Sequence, residues 1–192
     1  GQGIVAMKLA PLALALLLTP GVAGAAETVP VPAFRSVQLR GGGNVVVRPG
    51  PVQRVTIVSG STAFTRIHVE RDGQLRIDAC NARCPQLYRL VVEVESPALP
   101  DLAVMGGGRI AAQAGFRPQR QISAAVMGGG QIDTRAANTR DANAAVNGGG
   151  AILLRAAGNL SAAVNGGGEI RYWGDPHVTS AVAGGGNIRK GG

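Results

Sequence analysis

Aromatic side chains are almost missing from this 192-residue chain, which has one tryptophan, two tyrosines and three phenylalanines. Basic residues have no aromatic interleaving and no recognised nucleic-acid motif surrounds them, so a nucleic-acid partner is not expected. Cysteine is limited to Cys80 and Cys84, and their spacing, with no histidine nearby, fits neither a zinc nor a haem site. Histidine is limited to His68 and His177 in unrelated contexts, and no Ser/His/Asp arrangement emerges. No apolar run reaches the ~20 residues needed to span a bilayer as a helix. Catalytic residues, cofactors and metals are therefore all expected to be none.

What the chain has in excess is glycine, and most of it is ordered. Eighteen of the 30 glycines form six triplets: Gly41-Gly42-Gly43, Gly106-Gly107-Gly108, Gly128-Gly129-Gly130, Gly148-Gly149-Gly150, Gly166-Gly167-Gly168 and Gly184-Gly185-Gly186. An aliphatic residue stands two positions before each triplet (Leu39, Val104, Val126, Val146, Val164, Val182) and another two positions after it (Val45, Ile110, Ile132, Ile152, Ile170, Ile188). The last five copies are spaced 22, 20, 18 and 18 residues apart, a period that marks a repeat architecture.

Aligning the copies on their glycines sets the register. Ile122, Ala124 and Val126 align with Ala142, Ala144 and Val146, then Leu160, Ala162 and Val164, then Val178, Ser180 and Val182. Apolar or small residues at every second position describe a strand with one buried face. Each repeat reads as strand, glycine corner, strand, polar loop. Stacked in parallel, such units bury a core that no single unit could bury, which predicts an all-β solenoid. Each glycine in a strand costs roughly 0.5–1 kcal/mol relative to alanine, so the triplets require positive φ or close backbone approach. On this reading every triplet position is constrained, and Gly167→Val should destabilise by well over ~1 kcal/mol.

The stretch Gly166-Gly167-Gly168-Glu169-Ile170-Arg171-Tyr172-Trp173-Gly174-Asp175-Pro176, with the closing triplet and Ile188-Arg189-Lys190, resembles the ending of the head GIN domain family of putative auto-transporter adhesins. Asp72-Gly73-Gln74-Leu75-Arg76-Ile77 and Val92-Glu93-Val94-Glu95-Ser96-Pro97-Ala98-Leu99 resemble two upstream segments of that family, and the likeness spans about residues 33–190. Gly-Gly-Gly replaces the family's frequent Gly-Ser-Gly, and the Cys80–Cys84 insertion is a second departure. The resemblance implies a right-handed parallel β-helix-like fold and an adhesive role, and brings no catalytic residues.

In chain order, residues 1–6 read as an upstream extension. Met7-Lys8, the apolar run Leu9 to Leu18 and the small-x-small site Ala23-Gly24-Ala25 read as a signal peptide over 7–25. Residues 26–33 read as a flexible leader and 34–192 as one domain, with irregular rungs and a β cap over 34–100 and regular repeats over 101–192. Arg71-Asp72-Gly73 is a hairpin turn. Cys80 and Cys84 are expected to form a disulfide if the chain is exported.

Without Lys8, 18 basic residues face 11 acidic ones, and nearly all the bases are arginines spread along the chain. A scattered excess of this kind draws a protein weakly to anionic surfaces, or merely solvates its sheets. Trp173 alternates out of phase with Ile170 and Tyr172 and should point outward, where it could stack on a sugar, pack in an oligomer interface or cover the last rung. Glu93 and Glu95 share a strand face as a solvated pair. The leading expectation is an exported, non-enzymatic binding module of the bacterial periplasm or cell surface, with a glycan or a protein as partner. The alternatives are a polysaccharide-active enzyme, supported by fold analogy alone, and a self-assembling homo-oligomer joined through its end rungs.

Overall fold

The computed structural model describes Gly1, Gly3 and residues 25–192. Residues 7–24 of the expected signal peptide therefore lie outside the described residues. Everything regular among the described residues is strand. The first half holds β1 (Glu27–Val29), β2 (Ser36–Arg40), β3 (Asn44–Pro49), β4 (Arg54–Ser59), β5 (Arg66–Val69), β6 (Gln74–Asp78) and β7 (Val91–Ser96). The second half holds β8 (Asp101–Met105), β9 (Arg109–Ala112), β10 (Gln119–Met127), β11 (Gln131–Asp133), β12 (Thr139–Asn147) and β13 (Ala151–Arg155). It ends with β14 (Asn159–Asn165), β15 (Glu169–Trp173), β16 (His177–Ala183) and β17 (Asn187–Lys190).

These strands form two mixed sheets. One has nine strands in the order β1-β4-β7-β3-β9-β11-β13-β15-β17, and the other has eight in the order β16-β14-β12-β10-β8-β2-β6-β5. From β8 onward, even-numbered strands lie in the eight-stranded sheet and odd-numbered ones in the nine-stranded sheet, and each glycine triplet carries the chain from the first to the second. Parallel pairing is in register, with Val126 beside Val104 and Val146, and Ile152 beside Ile132 and Ile170. Between the sheets the predicted columns form one core, with Val104, Val126, Val146, Val164, Ile110, Ile132, Ile152 and Ile170 all buried. The alanines beside them (Ala124, Ala142, Ala144, Ala162) are buried too, so the sheets pack through small side chains.

The glycine corners are joined rung to rung by backbone hydrogen bonds. The N–H of Gly128 donates to the carbonyl of Asn147 at 2.8 Å, and the N–H of Gly130 donates back to the carbonyl of Gly106 at 2.8 Å. Gly148 and Gly150 repeat the pattern, as do Gly166 and Gly168. The three positions of a triplet have different requirements. The first glycine has φ between +97° and +117° in all six copies, a region that L side chains rarely adopt. The third is needed for space, since a Cβ on Gly168 would lie 2.5 Å from the carbonyl oxygen of Gly150 and 2.6 Å from Val146 Cγ1. The middle glycine faces open space with ordinary φ, and a Cβ on Gly167 would meet nothing within 4 Å. This corrects the expectation that Gly167 is constrained, and it matches the serine that the resembled family often carries there.

The N-terminal half departs from chain order. β2 and β3 sit directly against β8 and β9, with β6 and β7 on their other side. Gly41–Gly43 thus joins the glycine column beneath Gly106–Gly108, and Gly108 N–H donates to the Gly41 carbonyl at 2.9 Å. The 62 residues between the first two triplets leave the column and return to it. That excursion builds the cap: β4 runs antiparallel to β7, β1 antiparallel to β4, and β5 antiparallel to β6 through the Asp72-Gly73 turn. Glu27–Val29, expected within a flexible leader, is therefore a paired strand. In the β6–β7 rung the corner is the 79–90 loop, where Cys80 and Cys84 are disulfide-bonded with Cα atoms 5.5 Å apart.

Substitution in one triplet separates the three requirements. Gly166→Val and Gly168→Ala should each lower stability by about 2 kcal/mol or more, through disallowed φ and backbone overlap respectively. Gly167→Ser should stay within about 0.5 kcal/mol of the parent, as expected for an open surface position. Thermal and urea unfolding of the three variants checks the ranking. Equal losses at all three positions would contradict the open middle position.

Candidate functional site

The strand alternation that buries Ile132, Ile152 and Ile170, and half-buries Ile188, turns their neighbours outward, onto the exposed face of the nine-stranded sheet. Asp133 on β11, Arg155 on β13, Arg171 and Trp173 on β15, and Arg189 on β17 share that face, and Arg155 stands beside Trp173 in register. Arg135, just past β11, completes the group. Asp133 is the anchor. The Arg135 guanidinium grips its carboxylate with Nε at 3.0 Å from Oδ1 and Nη2 at 2.7 Å from Oδ2. The Arg135 backbone N–H adds a bond of 3.1 Å, and Arg109 Nη2 approaches Oδ2 at 3.5 Å. Burial opposes ionisation of Asp133, but the hydrogen bonds and charge of Arg135, with the charge of Arg109, outweigh it and hold its carboxyl below the ordinary aspartate value.

So fixed, Arg135 lies over the Trp173 indole with its guanidinium carbon 5.0 Å from the ring centroid, and Arg171 lies at 5.7 Å. Both are within cation–π range. Glu169 neutralises the other end of the group, with Arg189 Nε at 2.7 Å and Arg171 Nε at 3.3 Å from its Oε1. Gly191 packs against the indole so closely that a Cβ there would meet ring Cη2 at 2.8 Å. Trp173 is consequently half-buried. It points outward as expected, yet it is held by its neighbours. Arg155 differs from the other four arginines of the face, since its Nε reaches only the Arg135 carbonyl, at 3.4 Å. A shallow depression lined by Ala112, Asp133, Arg135, Ala136, Arg155 and Trp173 lies at this point.

The other features singled out in the sequence stand apart from this platform. Glu93 and Glu95 both pair with Arg48, at the capped end of the same sheet. His68 bonds Glu70 at 2.9 Å and His177 is exposed on β16, so neither meets a nucleophile. Asn147 stands beside Asn165, and Met105 beside Met127, along the outer edge of the glycine column. Among the described residues no three His, Cys, Asp or Glu side chains gather in a group that could hold a metal ion. No helix among them is long and apolar enough to cross a membrane. Sequence reasoning found Trp173 from alternation and missed Arg135. The Asp133-x-Arg135 spacing at a strand end was its only visible signal.

Comparison with known proteins follows from this geometry. The family described as "Putative auto-transporter adhesin, head GIN domain" matches residues 33–121 and 119–176. Among solved structures, a "putative adhesin" from Bacteroides fragilis superposes with a TM-score of 0.57 at 16% identity, covering 86% of this chain and 96% of its own. A "putative lipid binding protein" from Parabacteroides distasonis gives a TM-score of 0.49 at 13% identity, covering 88% and 96%. The first likeness concerns the fold alone. No curated protein matches the chain.

The pairing of Asp133 with Arg135 has a pH signature. A depressed native pKa stabilises the fold above the unfolded value near 3.9, and the contribution is lost as pH falls through the native value. Asp133→Asn should therefore cost about 1–2 kcal/mol at neutral pH. The gap to the parent should be flat from pH 8 to about 5 and close only below about 4. Melting temperatures of parent and variant across that range check it, and a gap that changes between pH 8 and 6 would contradict the assignment.

Proposed function

Since this chain belongs to the head GIN domain family, described as putative auto-transporter adhesins, we propose that it is an exported, non-enzymatic binding module of the bacterial cell surface, and that its ligand is an acidic glycan. The two stacked sheets are read as a right-handed solenoid that presents its outer faces to a partner. The observation that carries the ligand class is the pairing of Trp173, the single tryptophan, with Arg155, which stands beside it in register and, unlike Arg109, Arg135, Arg171 and Arg189 around it, meets no carboxylate within 4 Å among the described residues. The solvent-facing part of the indole offers apolar contact for a sugar ring, and a neighbouring guanidinium offers a bidentate donor for a carboxylate or sulfate on that sugar. Arg135 and Arg171 hold the indole in place, which lowers the ordering cost of binding. Around Trp173, five arginines stand against two carboxylates (Arg109, Arg135, Arg155, Arg171 and Arg189 against Asp133 and Glu169), a local positive excess that steers anionic chains toward it.

Binding of purified protein to a uronate polysaccharide, a sulfated polysaccharide and a neutral glucan, each at low and high salt, tests the reading. The acidic polymers should bind and the neutral one should not, with part of the affinity surviving high salt. Arg155→Ala should weaken binding about tenfold, equivalent to about 1.4 kcal/mol, without lowering the melting temperature. Trp173→Ala should weaken it at least as much. Equal binding by the parent and the Arg155→Ala/Trp173→Ala double variant would sink the proposal, as would failure to bind any acidic polymer.

A further inference from the structure

The stack ends in two different ways. At the β1 end, antiparallel β4 and β1 extend one sheet and β5 extends the other beyond the last parallel rung. At the opposite end, β16 and β17 pair only with β14 and β15, and no strand among the described residues covers their far edges. The core column reaches this rung but loses its cover. Val164 is 2% exposed, while Val182, next in the same column, is 45% exposed.

The two free edges are not equivalent. Edge strands are normally guarded by proline, by lysine or by an inward-pointing charge. β17 has such a guard: Lys190 occupies the column of Leu154 and Tyr172 and pairs with Asp175. β16 has none, since its seven residues, HVTSAVA, include no proline, lysine, arginine or carboxylate. Its sequence is also self-complementary about its centre. In an antiparallel pairing with Ser180 opposite Ser180, the core-facing Val178 of one copy meets Val182 of the other, and Thr179 meets Ala181 on the outer face. No two like charges come together.

We infer that β16 is an interface for a second copy of this chain, the two strands pairing antiparallel about a two-fold axis at Ser180. The eight-stranded sheet then continues through the seam as sixteen strands, and Val178 and Val182 regain the cover that every earlier rung has. A rung seven residues long is about 23 Å in length, and with sheets about 10 Å apart its end face is about 230 Å² per copy, or about 460 Å² in total, in the range of weak, transient contacts. Dimerisation is therefore expected only toward the upper end of the concentration range, and it forms an isologous pair that cannot grow into a fibre. The pair carries two copies of the basic platform around Trp173, which adds avidity on a polymeric ligand.

The test is sedimentation and light scattering of the purified protein from micromolar to near-millimolar concentration, with mass rising from one chain to two and no further. Ser180→Lys, which places an inward-pointing charge at the axis as Lys190 does in β17, should keep the protein monomeric. Ser180→Cys should form a covalent dimer on mild oxidation, since both native cysteines are already bonded to each other. Ala183→Cys should not, because this register separates the two copies of position 183 by about 20 Å. A single-chain mass at every concentration would overturn the inference. So would cross-linking of Ala183→Cys as fast as that of Ser180→Cys.

Discussion

The structure depends on how closely successive glycine corners approach one another. At the four inner corners, from Gly106–Gly108 to Gly166–Gly168, the first glycine donates to the rung above and the third donates to the rung below, and both contacts are backbone to backbone. The corner also bridges the two sheets, so the spacing it sets is imposed on both at once. A Cβ at the first or third position would push neighbouring corners apart and loosen the in-register pairing of every flanking strand. The same closeness suits the interior, where columns of alanine and valine from one sheet pack against isoleucines of the other.

That constraint acts on space and not on chain order, which is why the N-terminal half can break the sequence of rungs. β2–Gly41–β3 has the same strand-corner-strand chemistry as the later repeats, so it stacks equally well against β8–Gly106–β9 with the 51 residues 50–100 looped out between them. The loop-closure cost of such an excursion grows only logarithmically with length. The excursion in turn supplies antiparallel β1, β4 and β5, which have different twist and pairing from the parallel rungs and cover their end. The disulfide between Cys80 and Cys84 lies in the β6–β7 corner, which has no glycine triplet.

The regular half was legible because its period and alternation report directly on neighbours one rung away: Val126 beside Val146 and Ile152 beside Ile170 follow from aligning triplets. The insertion of β2–β3 between β6–β7 and β8–β9 was not legible, since pairing partners far apart in sequence carry no periodic signal. The triplet read as a uniform unit because three identical letters conceal three different demands, and only φ and the position of an imagined Cβ distinguish Gly166 and Gly168 from Gly167. On the outer face, alternation gave the direction of Trp173. Its fixation by Arg135 depends on a loop residue whose side chain is aimed by Asp133, two positions away at a strand end.

In-register stacking carries an electrostatic cost that the nine-stranded face reveals. Outward positions repeat every rung, at a spacing of about 4.8 Å, so like charges in one column repel across adjacent strands. Arg171 and Arg189 are such a pair, and Glu169 lies within reach of both. Arg109 and Arg135 share Asp133 in the same way. Arg155 is not neutralised in this way; it has Trp173 beside it in register, at the point where two other guanidiniums already hold the indole. The proposed ligand class rests on that arrangement: a ligand with its own negative charge would supply the partner that the stack leaves out.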